Sequence, residues 1–367
     1  MKSDNETAYR KLQDHLDKLP VGYPKTKSGV EIKLLKHMFS PEEAIVATFL
    51  KYTPEPLKRI FRRAKKLGLR KEELEQHLEN MIKKGSINYG EKSGVKYYAN
   101  AFLAIGMFEY QLNRLTEDFV KDFHQYVEEA YLDEFHKLTP QIRVIPIERS
   151  ITPENYIASY NDLRIIIENS NDNIALAECI CKKGKDLIGE PCKQTDLREI
   201  CFAFRGGARH YIEMGFARPI DKETALEILE KAEEDGLILQ TGNSQRPNFV
   251  CCCCTCCCGL LSHEKNTSNP AKLVHNNYYA SINSELCVSC SLCVQRCQMD
   301  ALVVKEETTK VLEERCIGCG NCVVTCPNGA IRLLKKKEIT TPPKNTFELY
   351  TRLLDEKAEL MRSNMEK

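Results

Sequence analysis

Apolar residues recur at roughly helical spacing through the first third of the chain. After Ser40, a good N-cap residue, Pro41-Glu42-Glu43 opens a run carrying Ala44, Ile45, Ala47, Phe49 and Leu50. A second helix follows Pro56 with Leu57, Ile60, Phe61 and Ala64 and stops at Gly68; a third carries Leu74, Leu78, Met81 and Ile82 and ends at Gly85. Next, 87–89, 90–94 and 95–98 read as strand, turn and strand. Over 113–138, Leu115, Phe119, Phe123, Tyr126, Val127, Ala130 and Tyr131 form a stripe whose helical spacing predicts core packing. Pro140, Pro146 and Pro153 punctuate a β-like run, 142–145, at a domain boundary. A helix over 154–169 and the apolar run 174–177 follow. Further on, helices are expected over 201–215 and, after Asp221, over 222–235, with 237–240 as a strand.

These elements predict an α+β multidomain chain. Three helices and a hairpin in this order resemble a winged helix-turn-helix, placed at 30–112, followed by a helical connector at 113–139 and a cysteine-rich middle domain of mixed α/β type at 140–275. In a DNA-reading member the second helix of the motif enters the major groove. Here that helix carries Glu72, Glu73, Glu75 and Glu79, whereas Lys58, Arg59, Arg62, Arg63, Lys65 and Lys66 lie on the helix before it. The expectation is an interaction module whose basic face docks an acidic partner protein, not DNA; a solvated face is the alternative.

Charge adds little, since 53 Lys+Arg oppose 52 Asp+Glu. Nothing global calls for a polyanion or a membrane surface. No stretch approaches the length of a membrane span, and Met1 to Glu6 is polar, without the apolar core of a signal peptide. A cytoplasmic setting is expected. There, 19 cysteines, an odd number, favour metal ligation over disulfides.

Eight of them fall in one repeated pattern, Cys287-x2-Cys290-x2-Cys293-x3-Cys297 and Cys316-x2-Cys319-x2-Cys322-x3-Cys326, displaced by 29 residues. The halves also match beyond the cysteines, Asp300-Ala301-Leu302-Val303 against Gly329-Ala330-Ile331-Arg332. This segment, 276–334, resembles a bacterial-type ferredoxin with two 4Fe-4S clusters, each half a strand, cluster loop, short helix and strand. The resemblance implies that Cys287, Cys290, Cys293 and Cys326 hold one cluster and Cys316, Cys319, Cys322 and Cys297 the other, the fourth cysteine of each run crossing over. Ser291, Gly318 and Gly320 let backbone N–H groups approach the clusters. Pro327 follows Cys326 as that family expects; Gln298 stands at the equivalent place in the first run and is expected to loosen that corner without removing a ligand. Beyond, 335–367 reads as a linker and a charged helix that clasps another domain or a partner.

Eleven cysteines remain: Cys179, Cys181, Cys192 and Cys201, then the string Cys251, Cys252, Cys253, Cys254, Cys256, Cys257 and Cys258. Successive side chains of an extended segment face opposite ways, so one centre cannot take all seven of the string from a regular strand. Three readings stay open. The two groups jointly hold a third iron-sulfur centre, of standard or nonstandard nuclearity; the string holds zinc; or the four upstream thiols are packed small hydrophobes. His210, His263 and His275 lie nearby, His263 being the first candidate as a further ligand. No nucleotide, metalloprotease or haem-attachment motif is present.

The whole layout resembles iron-sulfur fusion proteins of anaerobic bacteria and archaea, a likeness that implies no particular reaction. The leading expectation is an electron-transfer protein relaying low-potential electrons between a redox partner protein and the middle-domain centre. The alternatives are a reductase, an oxidoreductase with its active site at the Cys251–Cys258 string, and a redox-sensing winged-helix regulator. Homo-oligomer formation stays open.

Overall fold

The structure, a computed structural model, describes residues 5–150, 161–170, 173–306 and 308–365. It divides into two compact units, Met1–Leu138 with Leu353–Lys367, and Thr139–Arg352. Among the described residues no helix is long and apolar enough to cross a membrane.

In the first unit, Ser40 caps the helix Pro41–Ala47 through a reciprocal box: its Oγ accepts from the Glu43 N–H at 3.2 Å, and Glu43 Oε2 accepts from the Ser40 N–H at 2.7 Å. Helices Leu57–Ala64 and Lys71–Lys83 follow. Strands β1 (Glu55–Pro56), β2 (Ile87–Lys92) and β3 (Val95–Asn100) form an antiparallel sheet in the order β1-β3-β2. The hairpin is longer than the sequence reading allowed. Gly90, Glu91 and Lys92 keep pairing with Tyr97, Lys96 and Val95, and only Ser93 and Gly94 turn, both with positive φ. Helices Asn5–Leu16 and Val30–Met38 complete the unit's start. The aromatic stripe is core: Phe119, Phe123, Tyr126 and Tyr131 are buried, with Phe123 stacked on Phe108 at 3.6 Å. From the C-terminal helix, Thr346–Met365, Lys357 Nζ reaches the carbonyls of Asp17 and Leu19 and the Glu134 carboxylate, at 2.7 to 3.0 Å.

The second unit is built on a six-stranded antiparallel sheet: β4 (Ile142–Ile145), β5 (Ile174–Glu178), β6 (Glu199–Phe204), β7 (Ala217–Ile220), β8 (Ile238–Gly242) and β9 (Phe249–Cys253), ordered β4-β8-β9-β6-β5-β7. The helix expected over 201–215 is a correction: Glu199–Phe204 is a strand flanked by β9 and β5, and only Gly206–Glu213 is helical. Ile200, Phe202 and Phe204 are buried in the core while Ala203 lies in a smaller cluster with Ala175 and Ala208, so both faces are covered and no polar alternation marks the strand. The expected helix after Asp221 spans Lys222–Glu234, capped by the Asp221 carboxylate on the Thr224 N–H at 2.8 Å. Of the helix expected over 154–169, Leu163–Glu168 is present; 151–160 lies outside the described residues.

The cysteine repeat forms the rest of this unit. Strands β10 (Tyr278–Ile282) and β13 (Ile331–Lys335) pair antiparallel, as do β11 (Leu302–Lys305) and β12 (Thr308–Val311), with short helices Leu292–Arg296 and Asn321–Thr325 after the loops. Edge strand β4 anchors it: the Val144 N–H donates to His275 O at 3.0 Å, and Asn276 Nδ2 donates to Val144 O at 3.1 Å.

Candidate metal centres

The repeat in sequence is a repeat in backbone. Ser289, Ser291 and Asp300 have positive φ, and so do Gly318, Gly320 and Gly329, each 29 residues later. In the second loop the need for glycine is also steric: a Cβ at Gly318 would strike the Tyr278 carbonyl, and one at Gly320 the Ser150 side chain. These turns wrap two cavities. One is lined by Cys287, Cys290, Cys293 and Cys326, the other by Cys297, Cys316, Cys319 and Cys322. Backbone N–H groups are aimed at the sulfurs, Ala301 to Cys297 Sγ and Ala330 to Cys326 Sγ, both 3.3 Å, and Ala280 to Cys316 Sγ, 3.4 Å.

The two cavities differ in their surroundings. Around the first, Val288 is 64% exposed, Leu286 48% and Leu292 42%. Hydrogen bonds to the Thr309 and Ser289 backbone draw Cys287 down to about 7. At the second, burial pushes Cys319 up to about 12. This cavity faces the six-stranded sheet: the Ile147 N–H donates to Cys319 O at 3.0 Å, and Asn321 Nδ2 donates to the carbonyls of Gly236 and Leu237 at 3.0 and 3.3 Å.

The eleven upstream cysteines separate into three destinations. The string is the end of a strand, a turn and a helix start: Cys251 to Cys253 end β9, Cys257 and Cys258 N–H groups both donate to Cys254 O, and Cys258 caps the helix Gly259–Asn266. Strand alternation sends Cys252 into the apolar core, 1% exposed, opposite Leu239. The structure therefore does not bring Cys252 to either thiol group.

The first group is compact. Cys192, Cys254, Cys256 and Cys257 have their sulfurs all within 4.8 Å of one another, with separations of 3.4 Å for Cys254–Cys256, 3.6 Å for Cys192–Cys254, and 3.8 Å for Cys192–Cys256 and Cys256–Cys257. Four thiolates at about 2.3 Å from one tetrahedral ion stand about 3.8 Å apart. Lys182, 1% exposed, donates from Nζ to Cys254 Sγ at 2.9 Å and Cys192 Sγ at 3.3 Å. Burial alone would lower Lys182, but Cys254 overrides it and holds the ammonium above its usual value. Hydrogen bonding from Cys257, and then the Lys182 charge, draw Cys254 down to about 5 against its burial.

The second group is a ring. Each thiol interacts with two neighbours, in the order Cys179–Cys181–Cys258–Cys253–Cys251–Cys201 and back to Cys179. Around it the members alternate: the neighbouring thiols draw Cys179, Cys258 and Cys251 down and push Cys181, Cys253 and Cys201 up. Sheet register builds it, since Cys201 pairs directly with Cys251 and Cys253 lies on the same face two residues on.

Among the described residues, no histidine joins the compact group. His275 instead lies half-buried beside β4, its carbonyl taken by Val144 and its ring lowered to about 4 by burial and then by Arg143. Two residues matter most, one that sequence reading passed over and one that it misread. Lys182 carried no signal, being one lysine among several after Cys181. Gln298 does the reverse of loosening its corner: Oε1 accepts from the Thr255 N–H at 2.9 Å, and Nε2 donates to Gly236 O at 2.6 Å.

Residues 280–333 match a family described as 4Fe-4S dicluster domain, and residues 315–353 match a second family of that description. No curated protein and no solved structure matches the chain. The C-terminal part is a ferredoxin-type 4Fe-4S domain, a module whose chemistry is iron-sulfur electron transfer.

Proposed function

We propose that this chain relays electrons between a redox partner protein and a thiolate-bound iron centre at Cys192, Cys254, Cys256 and Cys257, through two 4Fe-4S clusters. Cys287, Cys290, Cys293 and Cys326 hold one cluster; Cys297, Cys316, Cys319 and Cys322 hold the other. The fit of these residues rests on four thiols lining each cavity, turns with positive φ, and N–H groups directed at the sulfurs. Bound there, the clusters supply low-potential one-electron transfer.

One observation carries the reading. Gln298 follows the ligand Cys297 and hydrogen-bonds Thr255, which lies between Cys254 and Cys256. The second cluster cavity, which Cys297 and Gln298 line, is thereby clamped onto the four-thiol group, with Lys182 balancing the thiolate charge. The first cavity presents the apolar rim of Leu286, Val288 and Leu292 to the outside, which suits a transient redox partner.

The N-terminal unit is read as a winged-helix module in an α+β chain. Its helix order and β1-β3-β2 sheet support this. Lys58, Arg59, Arg62, Lys65 and Lys66 are exposed and suit an acidic protein surface, while Glu72 on the following helix is exposed and repels phosphate.

The test is iron, zinc and acid-labile sulfide analysis with an EPR-monitored redox titration on anaerobically prepared full-length protein. Two cubane signals with an additional ferric thiolate signal support the relay. Zinc at the four-thiol group, or its absence from the titration, overturns it.

A further inference from the structure

We propose that Cys179, Cys181, Cys201, Cys251, Cys253 and Cys258 hold a polynuclear iron-sulfur core of at least two iron ions, separate from the four-thiol centre. This rests on reading the chain as an iron-sulfur protein and goes beyond the relay.

The ring is assembled by the fold from four separate stretches. Cys179 follows β5 and its N–H donates to Arg198 O at 2.7 Å; Cys201 is on β6; Cys251 and Cys253 are on β9; Cys258 follows the turn. Cys179 and Cys258 each cap an eight-residue helix, where the helix dipole favours a thiolate. Geometry sets the nuclearity. A single tetrahedral ion draws its four thiolates to about 3.8 Å of one another, as in the compact group. In the ring each thiol meets its two neighbours, and among the described residues no three of the six have sulfurs all within 4.8 Å of one another. Six thiolates so spread exceed the four that one tetrahedral ion accepts, and need several metal ions bridged at the centre. All six are soft donors, matched to iron with sulfide. Lys182 bonds the neighbouring group directly, and its charge also reaches Cys179 of the ring.

The experiment measures iron and acid-labile sulfide per chain in anaerobically prepared full-length protein, for the wild type, the C181S/C253S double variant and C252A. The wild type is expected to hold at least two iron ions beyond the about nine that two cubanes and one four-thiol ion explain. C181S/C253S loses those ions and their sulfide while keeping the cubane EPR signals; C252A, altered in the core outside the ring, keeps them. Unchanged iron and sulfide in folded C181S/C253S overturns the core and leaves the relay standing, whereas missing cubane signals in the wild type overturn the relay itself. Should the double variant fail to fold, anomalous diffraction of the wild type at the iron edge decides: at least two iron peaks within the ring support the core, and none, or zinc alone, overturns it.

Discussion

The ferredoxin loops and the cysteine string both concentrate thiols, but they do so by opposite means. In the loops a local spacing with positive-φ residues bends the backbone around a cavity, and among the described residues no three of the loop sulfurs all lie within 4.8 Å of one another. In the middle domain the sulfurs of the compact group crowd to 3.4–3.8 Å where the turn after β9 meets the distant Cys192, and sheet register sets Cys201 of the ring beside Cys251. The contrast teaches that spacing encodes a site only when the ligands share a loop. Where a sheet does the gathering, the ligand set follows from strand order.

The comparison can be broken at several places. The largest effect is expected from C293S/C322S, which removes one thiolate from each cavity: iron content should fall by up to about eight per chain, read by metal analysis, while the four-thiol iron stays. Retention of both cubanes would show that the loops are not their cradles. Lys182→Met should speed metal release from the compact group to a chelator, its affinity falling about 10–100-fold, as for other outer-sphere partners of metal ligands; unchanged release would mean that the buried ammonium plays no part in retention. Gly318→Ala introduces a Cβ against the Tyr278 carbonyl at positive φ and should cost about 1–3 kcal/mol in denaturant unfolding. Ser289→Gly, at the matching place in the first loop, should relieve positive-φ strain and stabilise by at most about 1 kcal/mol. A small change in stability is likewise expected of Gln298→Leu. It leaves the Thr255 N–H and Gly236 carbonyl without that partner at about 1 kcal/mol, yet should slow electron arrival at the four-thiol iron in stopped-flow measurements.

Much of this was legible along the chain wherever the signal was local. Asp221 before an amphipathic run marked the helix Lys222–Glu234, and the repeated cysteine spacing marked both cluster loops. The strand Glu199–Phe204 was read as helix because it lies inside the sheet with both faces covered, which erases alternation. Gln298 was read as a loosened corner because its partner, Thr255, lies 43 residues away. The division of the string followed from alternation only in part. That rule separates Cys252 from Cys251 and Cys253, but the β6–β9 register decides that Cys201 stands beside Cys251.

The most direct test of the relay is iron-57 Mössbauer spectroscopy of anaerobic protein mixed with a limiting low-potential reductant. The wild type is compared with C293S/C322S, which lacks a cubane ligand in each loop. The four-thiol iron is expected to turn ferrous in the wild type and to stay ferric on the same time scale in the variant. Equal reduction in both, or no iron at Cys192, Cys254, Cys256 and Cys257, would contradict the account.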